Sequence, residues 1–247
     1  TAYLKANYPV EFMAALMALD AGNTEKLAVY RQDCGAHSIT VLPPDINCSE
    51  ASFKVETDSE GALCVRYALG AIKNVGEEAM RRLCALRDEG GVFVSIEDFA
   101  NRLPREAANK RQIETMVNAG VFDSLHNTRR HLFNVVDTIL ATADRVRREA
   151  NSQQSSLFGE ALEQGDNAVI KLGSESEWSQ SERMTREFDA LGLHLSAHPL
   201  DAYSKQLDNM KITTVSQLEG LLVDSANRRV TMAGQLSSLQ ERVSQRG

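Results

Sequence analysis

The N-terminal pattern of apolar and polar residues predicts three short helices. The stretch TAYLKANYPVEFMAALMAL is interpreted as two helical pieces. Pro9 suits the first turn of the second piece, because proline lacks an amide that a first turn would leave unpaired. The apolar stripe of this second piece comprises Phe12, Met13, Leu16, Met17 and Leu19. The stretch NTEKLAVYRQDCGA predicts a third helix, capped by Asn23 or Thr24 and ending at Gly35.

A short β region is expected next. SITVLPPDI predicts a strand that stops at Pro43 and Pro44, because proline cannot donate to a sheet ladder. SFKVE and LCVRYAL lie on either side of TDSEG, which predicts a β hairpin with a longer loop. The predicted fold class is therefore mainly α with a small β hairpin, arranged as several modules.

The remainder of the chain alternates between helical and polar stretches. From Gly70 to about Ala150 the periodicity is mostly helical, whereas residues 151–180 are polar and rich in Gly and Ser, which predicts a linker. Helix is expected again over 182–210, broken at Pro199. The alternating tail RRVTMAGQLSSLQERVSQRG predicts the opening strand of a β domain that is not completed within the chain.

The stretch LGAIKNVGEEAMRRLCALRDEG, residues 69–90, has the pattern helix, glycine turn, helix. We call it the first hairpin. Its turn would point backbone N–H groups outward at a helix start, where a phosphate oxygen could accept them, and a glycine lets the phosphate approach closely. The predicted phosphate contacts are Lys73, Asn74, Val75, Gly76, Glu77, Glu78 and Arg81.

A second hairpin is predicted over residues 109–136, NKRQIETMVNAGVFDSLHNTRRHLFNVV, with its turn at Ala119 and Gly120. Its predicted phosphate contacts are Lys110, Arg111, Gly120, Arg129 and Arg130. The alternative is that both stretches are ordinary helical hairpins in which glycine ends a helix. Two such hairpins in tandem favour contact with the DNA backbone, which carries no sequence information.

The charge distribution agrees with this interpretation. The 247-residue chain has a net charge of −7, which argues against a surface that is basic throughout. Residues 61–150 hold 14 basic and 12 acidic side chains, a net of +2, and are the only third of the chain with a positive balance. The chain has no run of eighteen apolar residues and begins without a methionine, so we expect a piece of a longer protein that does not enter the membrane.

Several phrases of the chain resemble a known family, the bacterial C-family replicative DNA polymerases, or polymerase III alpha subunits. They are TAYLKANYPVEFMAALMALDAGNTEK, ITVLPPDIN, LGAIKNVGEEA, NAGVFDSL, REFDALGLHLSAHPLDAY and VTMAGQ, in the family's order. The implied modules are the end of the fingers (1–65), a tandem helix-hairpin-helix domain (66–148), a flexible linker (149–181), a helical connector (182–211) and the truncated start of an OB fold (212–247).

The resemblance also implies what the chain does not carry. The family's catalytic palm, with three metal-binding aspartates, would lie before Thr1, and the chain has no Asp-x-Asp pair that could hold two metals. We therefore expect no cofactor in this fragment and no polymerisation by the fragment alone, with Mg²⁺ required by its full-length parent. A cytoplasmic, nucleoid-associated location is implied as well.

The polar stretch QQSSLFGE holds two adjacent large apolar residues. It is similar to the Gln-x-x-Leu-Phe peptide by which polymerases hold the sliding clamp, the beta subunit. The implied clamp-binding residues are Gln154, Ser155, Ser156, Leu157 and Phe158. The alternative is that Leu157 and Phe158 pack on the body of the protein. Duplex DNA, the clamp and, through the parent, other polymerase III holoenzyme subunits are thus the expected partners.

Three other functions fit parts of the sequence. A stand-alone helix-hairpin-helix repair or scaffold protein would share the hairpins, and the error-prone polymerase paralogue would share most of the resemblance. A metal-dependent hydrolase would use His194 and His198, which are four residues apart, as metal ligands on one helical face often are. No acidic residue follows them at ligand spacing, and Pro199 ends the helix beside them, which favours a structural or surface role for both.

Overall fold

The fold was analysed in a computed structural model. Two compact units are present, Thr1–Ser196 and Ala197–Gly247. The structure describes residues 1–103, 109–155, 170–197, 199–210, 212–214, 217–218 and 229–234, without the side chains of 150–155 and 202.

Three helices begin the first unit: α1 (Ala2–Asn7), α2 (Pro9–Leu19) and α3 (Thr24–Ala36). Pro9 occupies the first position of α2, and the Asn23 side chain caps α3 by accepting a hydrogen bond from the Lys26 N–H, as the sequence predicts. The apolar stripe of α2 is narrower than predicted, because Leu19 remains 83% exposed. The buried face comprises Val10, Met13, Ala14 and Met17.

A small mixed sheet follows, built from β1 (Val41–Leu42), β2 (Lys54–Thr57) and β3 (Leu63–Arg66). Strands β2 and β3 form the predicted antiparallel hairpin, with Val55 opposite Val65, and β1 pairs in parallel with β3. The strand order is therefore β1-β3-β2. One face of the sheet lies against α2, which buries Val65 completely.

The rest of the first unit is helical. After a 3-10 turn at Leu69–Ala71, its helices are α4 (Glu77–Gly90), α5 (Ile96–Arg102), α6 (Lys110–Ala119), α7 (Arg129–Asn134), α8 (Val136–Ser155) and α9 (Gln180–Leu191). A mainly helical fold with a small sheet confirms the predicted class. Phe99 of α5 contacts Phe93 and Phe122 edge to face, at ring-centroid distances of 5.4 Å and 4.9 Å, and so joins the loop after α4 to the second hairpin.

Buried Arg87 fixes α4 to the loop that precedes the sheet hairpin. Its guanidinium donates to the carbonyl oxygens of Ser49 at 2.5 Å and Ile46 at 3.3 Å, and it pairs with Glu50 at 3.0 Å. Loop carbonyls buried in this way need donors, since an unpaired buried carbonyl is costly. The first hairpin therefore has a fixed position on the body of the protein.

The stretch predicted as a flexible linker differs from that prediction where it is described. Helix α8 continues to Ser155, and residues 170–179, which we call the return segment, lie against the body. Trp178 is only 8% exposed, with its ring 5.6 Å from that of Phe133 and beneath the Arg186 guanidinium at 4.1 Å. Composition alone predicts a linker here because most residues of the stretch are polar, and only a few apolar residues such as Trp178 hold it to the body.

The second unit contains a 3-10 turn at Asp201–Tyr203 and α10 (Ser204–Asn209). Thr213 N–H donates to the Thr231 carbonyl at 2.8 Å, and residues 229–234 contain no strand. Residues 235–247 lie outside the described part, so the truncated OB fold stays a prediction. Among the described residues, no helix combines the length and apolar composition needed to cross a membrane.

Candidate nucleic-acid interface

The first arm of the first hairpin is shorter than predicted. Leu69–Ala71 forms a single 3-10 turn instead of an α-helix. The N–H groups of Leu69 and Gly70 donate to the carbonyls of Glu50 and Ala51, and the extended backbone of Ile72 ends the turn. A Cβ at position 70 would lie 2.6 Å from the Ala51 carbonyl oxygen, so only glycine permits this close packing.

The turn itself has two residues in the left-handed region of backbone space. Asn74 has φ of +63° and Gly76 has φ of +85°, and both are exposed. Between them Val75 is fully buried and anchors the turn. Asparagine is one of the few residues that tolerate this conformation, so the turn forms without a glycine at position 74.

Helix α4 begins at this turn with unpaired backbone donors. Gly76 provides no side-chain cap, and the N–H of Met80 makes the first intrahelical bond, to the Gly76 carbonyl. Within the described part of the chain, the N–H groups of residues 77–79 have no acceptor. They point out of the helix start, where the helix dipole also favours a negative charge.

Some of the charged side chains around the turn form ion pairs with one another. Glu77 and Glu78 pair with Arg81 at 2.6 Å and Arg82 at 3.3 Å on the exposed surface of α4. Such exposed pairs are weak and exchange readily with another anion. Lys73 is half-buried, and its ammonium lies 5.9 Å from the centre of the Phe188 ring.

A shallow cleft of about 620 Å³ runs beside the turn. Its walls include Gly22 and Thr24 at the start of α3, Lys73 and Gly76 of the turn, and Gln112 of α6. The turn that precedes the open donors of α4 therefore forms part of the wall of a concave surface.

A side chain and a backbone group from distant parts of the chain hold the turn, and no local sequence pattern predicts either contact. Gln112 Nε2 donates to the Val75 carbonyl at 2.5 Å. The Lys73 N–H donates to the Ala190 carbonyl, at the end of α9, at 3.0 Å. The Asn-x-x-Gln spacing that makes Gln112 part of a capping box with Asn109 was visible in the sequence, but its contact with Val75 was not.

The turn of the second hairpin is closed. Gly120 is buried in the left-handed C-cap of α6, and its N–H already donates to the Val117 carbonyl at 3.0 Å. A Cβ at this position would overlap the Arg129 guanidinium. The absence of a side chain at Gly120 thus makes room for Arg129, and the prediction of a phosphate contact there is wrong.

Arg129 is likewise unavailable to DNA, because it is 3% exposed. Its guanidinium contacts Asp123 at 2.7 Å, the Asn118 carbonyl at 3.0 Å and Glu187 of α9 at 3.2 Å. Glu187 is itself buried and also accepts hydrogen bonds from the N–H and hydroxyl of Ser196, both at 2.9 Å. Arg129 therefore joins α9 to the second hairpin, and its predicted DNA contact is corrected.

A carboxylate from the return segment occupies the start of α7. Glu177 accepts hydrogen bonds from the backbone N–H groups of Arg129 at 2.7 Å, Arg130 at 3.1 Å and Trp178 at 2.7 Å. The Arg130 guanidinium also donates to the Ser176 carbonyl at 3.3 Å. The donors that a phosphate would need at this helix start are consequently in use.

The remaining predicted contacts lie at the start of α6. Lys110 is exposed and pairs with Asp137 at 2.7 Å. Arg111 is exposed, and no hydrogen bond or ion pair of its side chain occurs within the described part of the chain. The structure thus does not gather the basic residues of the two hairpins into one site.

The pH dependence of the return segment follows from Glu177. Burial opposes ionisation of this carboxyl, but the three backbone N–H groups outweigh burial and lower its pKa. Because the pKa of Glu177 is lower in the folded state than in the unfolded state, its ionised form stabilises the fold at pH values above the unfolded pKa of about 4.3. This contribution is lost as the pH falls through the folded pKa. We expect Glu177→Gln to destabilise the protein by about 1 kcal/mol at pH 7, as loss of a helix cap does, and to flatten the decline in stability below pH ~4.3.

Urea unfolding at a series of pH values, followed by Trp178 fluorescence, measures this effect. Glu175→Gln is the matched control, because it removes an equal charge two residues away. Equal pH profiles for the wild type and Glu177→Gln would contradict the assignment.

The structure describes the predicted clamp-binding residues and the two candidate metal-binding histidines only in part. Of the clamp-binding residues, 156–158 and the side chains of Gln154 and Ser155 lie outside the described residues. His194 stacks on Phe188 at a centroid distance of 4.7 Å, while His198 lies outside the described part. No group of three or more His, Cys, Asp or Glu side chains among the described residues is arranged to hold a metal ion.

Comparison with known proteins agrees with the hairpin geometry. A family model described as a helix-hairpin-helix motif matches residues 38–132, which include the first hairpin and most of the second. The DNA polymerase III alpha subunit of Caulobacter vibrioides is 40% identical over the whole chain. Those of Neisseria meningitidis and Mycobacterium tuberculosis are 35% and 36% identical, again over 100% of the chain.

The chain spans about one fifth of the length of these relatives, between 20% and 21%. The similarity is continuous from the N-terminal helices through both hairpins to the last residues. Over its full length the chain is therefore similar to a part of DNA polymerase III alpha subunits, and its hairpin region matches a helix-hairpin-helix motif.

Proposed function

We propose that this chain is the part of a replicative DNA polymerase that grips the backbone of duplex DNA through its first hairpin. The observation that carries the proposal is the turn at Asn74–Gly76, which leaves the N–H groups of residues 77–79 unpaired at an exposed helix start. Phosphate oxygens accept hydrogen bonds from such groups without any information about base sequence.

The grip needs little reorganisation of the protein. Lys73 supplies a positive charge beside the open donors, and Arg81 leaves its exposed pair with Glu77 to face a phosphate. The turn of the second hairpin and the start of α7 are closed, because Val117 and Glu177 accept their backbone hydrogen bonds. Contact is therefore limited to a few phosphates.

Clamp binding is the second part of the proposal, and it rests on the sequence. The stretch from Gln154 to Phe158 follows the hairpins and holds two adjacent large apolar residues in a polar context. Leu157 and Phe158 would fill an apolar pocket of the sliding clamp, each contributing about 1.5–3 kcal/mol. DNA held by the first hairpin would raise the local concentration of a clamp on the same duplex.

The activity of the longer parent is also a proposal. We infer template-directed DNA synthesis with Mg²⁺ bound by aspartates outside this chain, within a polymerase III holoenzyme. The error-prone paralogue remains the alternative parent, and a clamp motif in this position favours the replicative form.

Duplex binding tests the DNA grip. We expect the wild type to bind a fluorescent duplex with no sequence preference and with a log–log salt slope that corresponds to a few phosphates. Lys73→Glu should weaken binding about tenfold and lower the slope by about one unit, because one phosphate contact is lost. Lys171→Glu, the same charge change at an exposed residue outside the hairpins, is the control.

Fluorescence anisotropy across a range of salt concentrations supplies both quantities. A strong preference for one base sequence, or equal weakening by Lys73→Glu and Lys171→Glu, would overturn the backbone grip.

A further inference from the structure

We propose that Gln112 is a positioning residue, which holds the turn of the first hairpin in its anion-binding conformation from the neighbouring helix α6. The inference rests on the proposed DNA grip and adds a role for the second hairpin, whose turn and α7 start are closed. Gln112 contacts no phosphate in this scheme and acts only through Val75.

The turn requires outside support because its backbone is strained. Asn74, with φ of +63°, is one of only two non-glycine residues with positive φ in the described part of the chain. A residue keeps such an unfavourable backbone conformation only when contacts with its surroundings stabilise that conformation enough to offset its cost. The turn's own hydrogen bond, from Val75 N–H to the Ile72 carbonyl, is long at 3.3 Å.

The hydrogen bond from Gln112 sets the direction of one peptide plane. Gln112 Nε2 lies 2.5 Å from the Val75 carbonyl oxygen. In a planar trans peptide the carbonyl and the following N–H point in opposite directions. Drawing the Val75 carbonyl toward α6 therefore turns the Gly76 N–H, the backbone donor that precedes α4, away from α6.

Gln112 is itself held in place. Its Oε1 accepts a hydrogen bond from the Asn109 N–H at 2.7 Å, and its own N–H donates to Asn109 Oδ1 at 3.0 Å. This capping box leaves Nε2 facing Val75, since the side-chain oxygen is already used as the acceptor. The side chain thus bridges the start of α6 and the DNA-binding turn with both of its polar atoms.

A pair of neutral variants separates the bridge from the cap. Gln112→Met removes the acceptor for the Asn109 N–H and the bond to Val75, but keeps the bond from its own backbone N–H to Asn109 Oδ1. Asn109→Ala removes that second bond and leaves a donor for Val75. Each variant loses one of the two capping-box hydrogen bonds, so the urea unfolding midpoint should fall for both. Only Gln112→Met should weaken duplex binding, by about fivefold, the equivalent of one hydrogen bond.

The experiment compares duplex affinity, the urea unfolding midpoint and the NMR shift of the Gly76 amide on DNA addition. We expect Gln112→Met to lose affinity and the Gly76 response while Asn109→Ala retains both. Gln112→Glu is a further variant, because its carboxylate keeps the acceptor for the Asn109 N–H but cannot donate to Val75. It guards against a Gln112→Met protein that fails to fold.

The outcomes separate the positioning role of Gln112 from the proposed DNA binding by the first hairpin. If Lys73→Glu weakens binding and both Gln112 variants bind as the wild type does, the positioning role is wrong and the DNA grip stands. If Lys73→Glu, Gln112→Met and Gln112→Glu all bind like the wild type, the DNA grip itself fails. Equal losses for Gln112→Met and Asn109→Ala assign the effect to the helix cap and overturn the role of Val75.

Discussion

Replacing Arg129 with methionine is expected to lower the free energy of unfolding by about 3–5 kcal/mol, because it leaves a buried carboxylate without its partner. Arg129 and Glu187 have side chains that are only 3% and 4% exposed. The same guanidinium also binds Asp123 and the Asn118 carbonyl, so several acceptors lose a donor at once. The loss should free α9 from the second hairpin before the rest of the fold melts.

Urea unfolding followed by circular dichroism measures this effect. The double variant Arg129→Met/Glu187→Met should recover much of the lost stability, since it buries no unpaired charge. Arg130→Met, at a neighbouring position whose guanidinium makes one long bond of 3.3 Å to a carbonyl, should cost at most about 0.5 kcal/mol. A loss no larger for Arg129→Met than for Arg130→Met would contradict the role of the buried pair.

The double variant Leu157→Ala/Phe158→Ala is expected to abolish measurable binding of the chain to the bacterial sliding clamp. Two apolar side chains worth about 1.5–3 kcal/mol each would weaken a moderate affinity at least ~100-fold when both are lost. Surface plasmon resonance with immobilised clamp compares the variant with the wild type. Val92→Ala/Val94→Ala removes two apolar side chains that are 60% and 78% exposed elsewhere on the surface, and should bind normally.

Either alternative result has a definite meaning. If the wild type and the Leu157→Ala/Phe158→Ala variant bind alike, the clamp is held by another surface. If neither binds, the two apolar residues pack on the body of the protein, and the error-prone paralogue becomes the better assignment of the parent.

Local signals in the sequence predicted the local structure well. Pro9 and Asn23 begin helices where their backbone preferences require it, and the β hairpin forms around the predicted loop. The turn at Asn74–Gly76 adopts the left-handed geometry that asparagine and glycine allow. Each of these features is decided by neighbouring residues, so a single sequence is enough to predict it.

Contacts between distant residues explain where the sequence analysis failed. Arg129 was interpreted as a DNA contact by its charge, but its partner Glu187 lies 58 positions away and could not be anticipated from spacing. The polar composition of the return segment predicts a linker, because the contacts of Trp178 with Phe133, 45 positions before it, and with Arg186 leave no local pattern. Gln112 was overlooked for the same reason, since Val75 lies 37 positions before it.

Helix α8 is 20 residues long, which corresponds to about 30 Å, and its last turn includes Gln154, the first residue of the proposed clamp peptide. The peptide therefore does not begin at the hairpins but at the far end of a stiff spacer, part of which is packed against α5. The length and rotational phase of this spacer set where the peptide leaves the protein surface. An insertion of two residues in α8 would rotate that exit point by roughly half a turn, whereas about seven residues would move it outward by about 10 Å on nearly the same side.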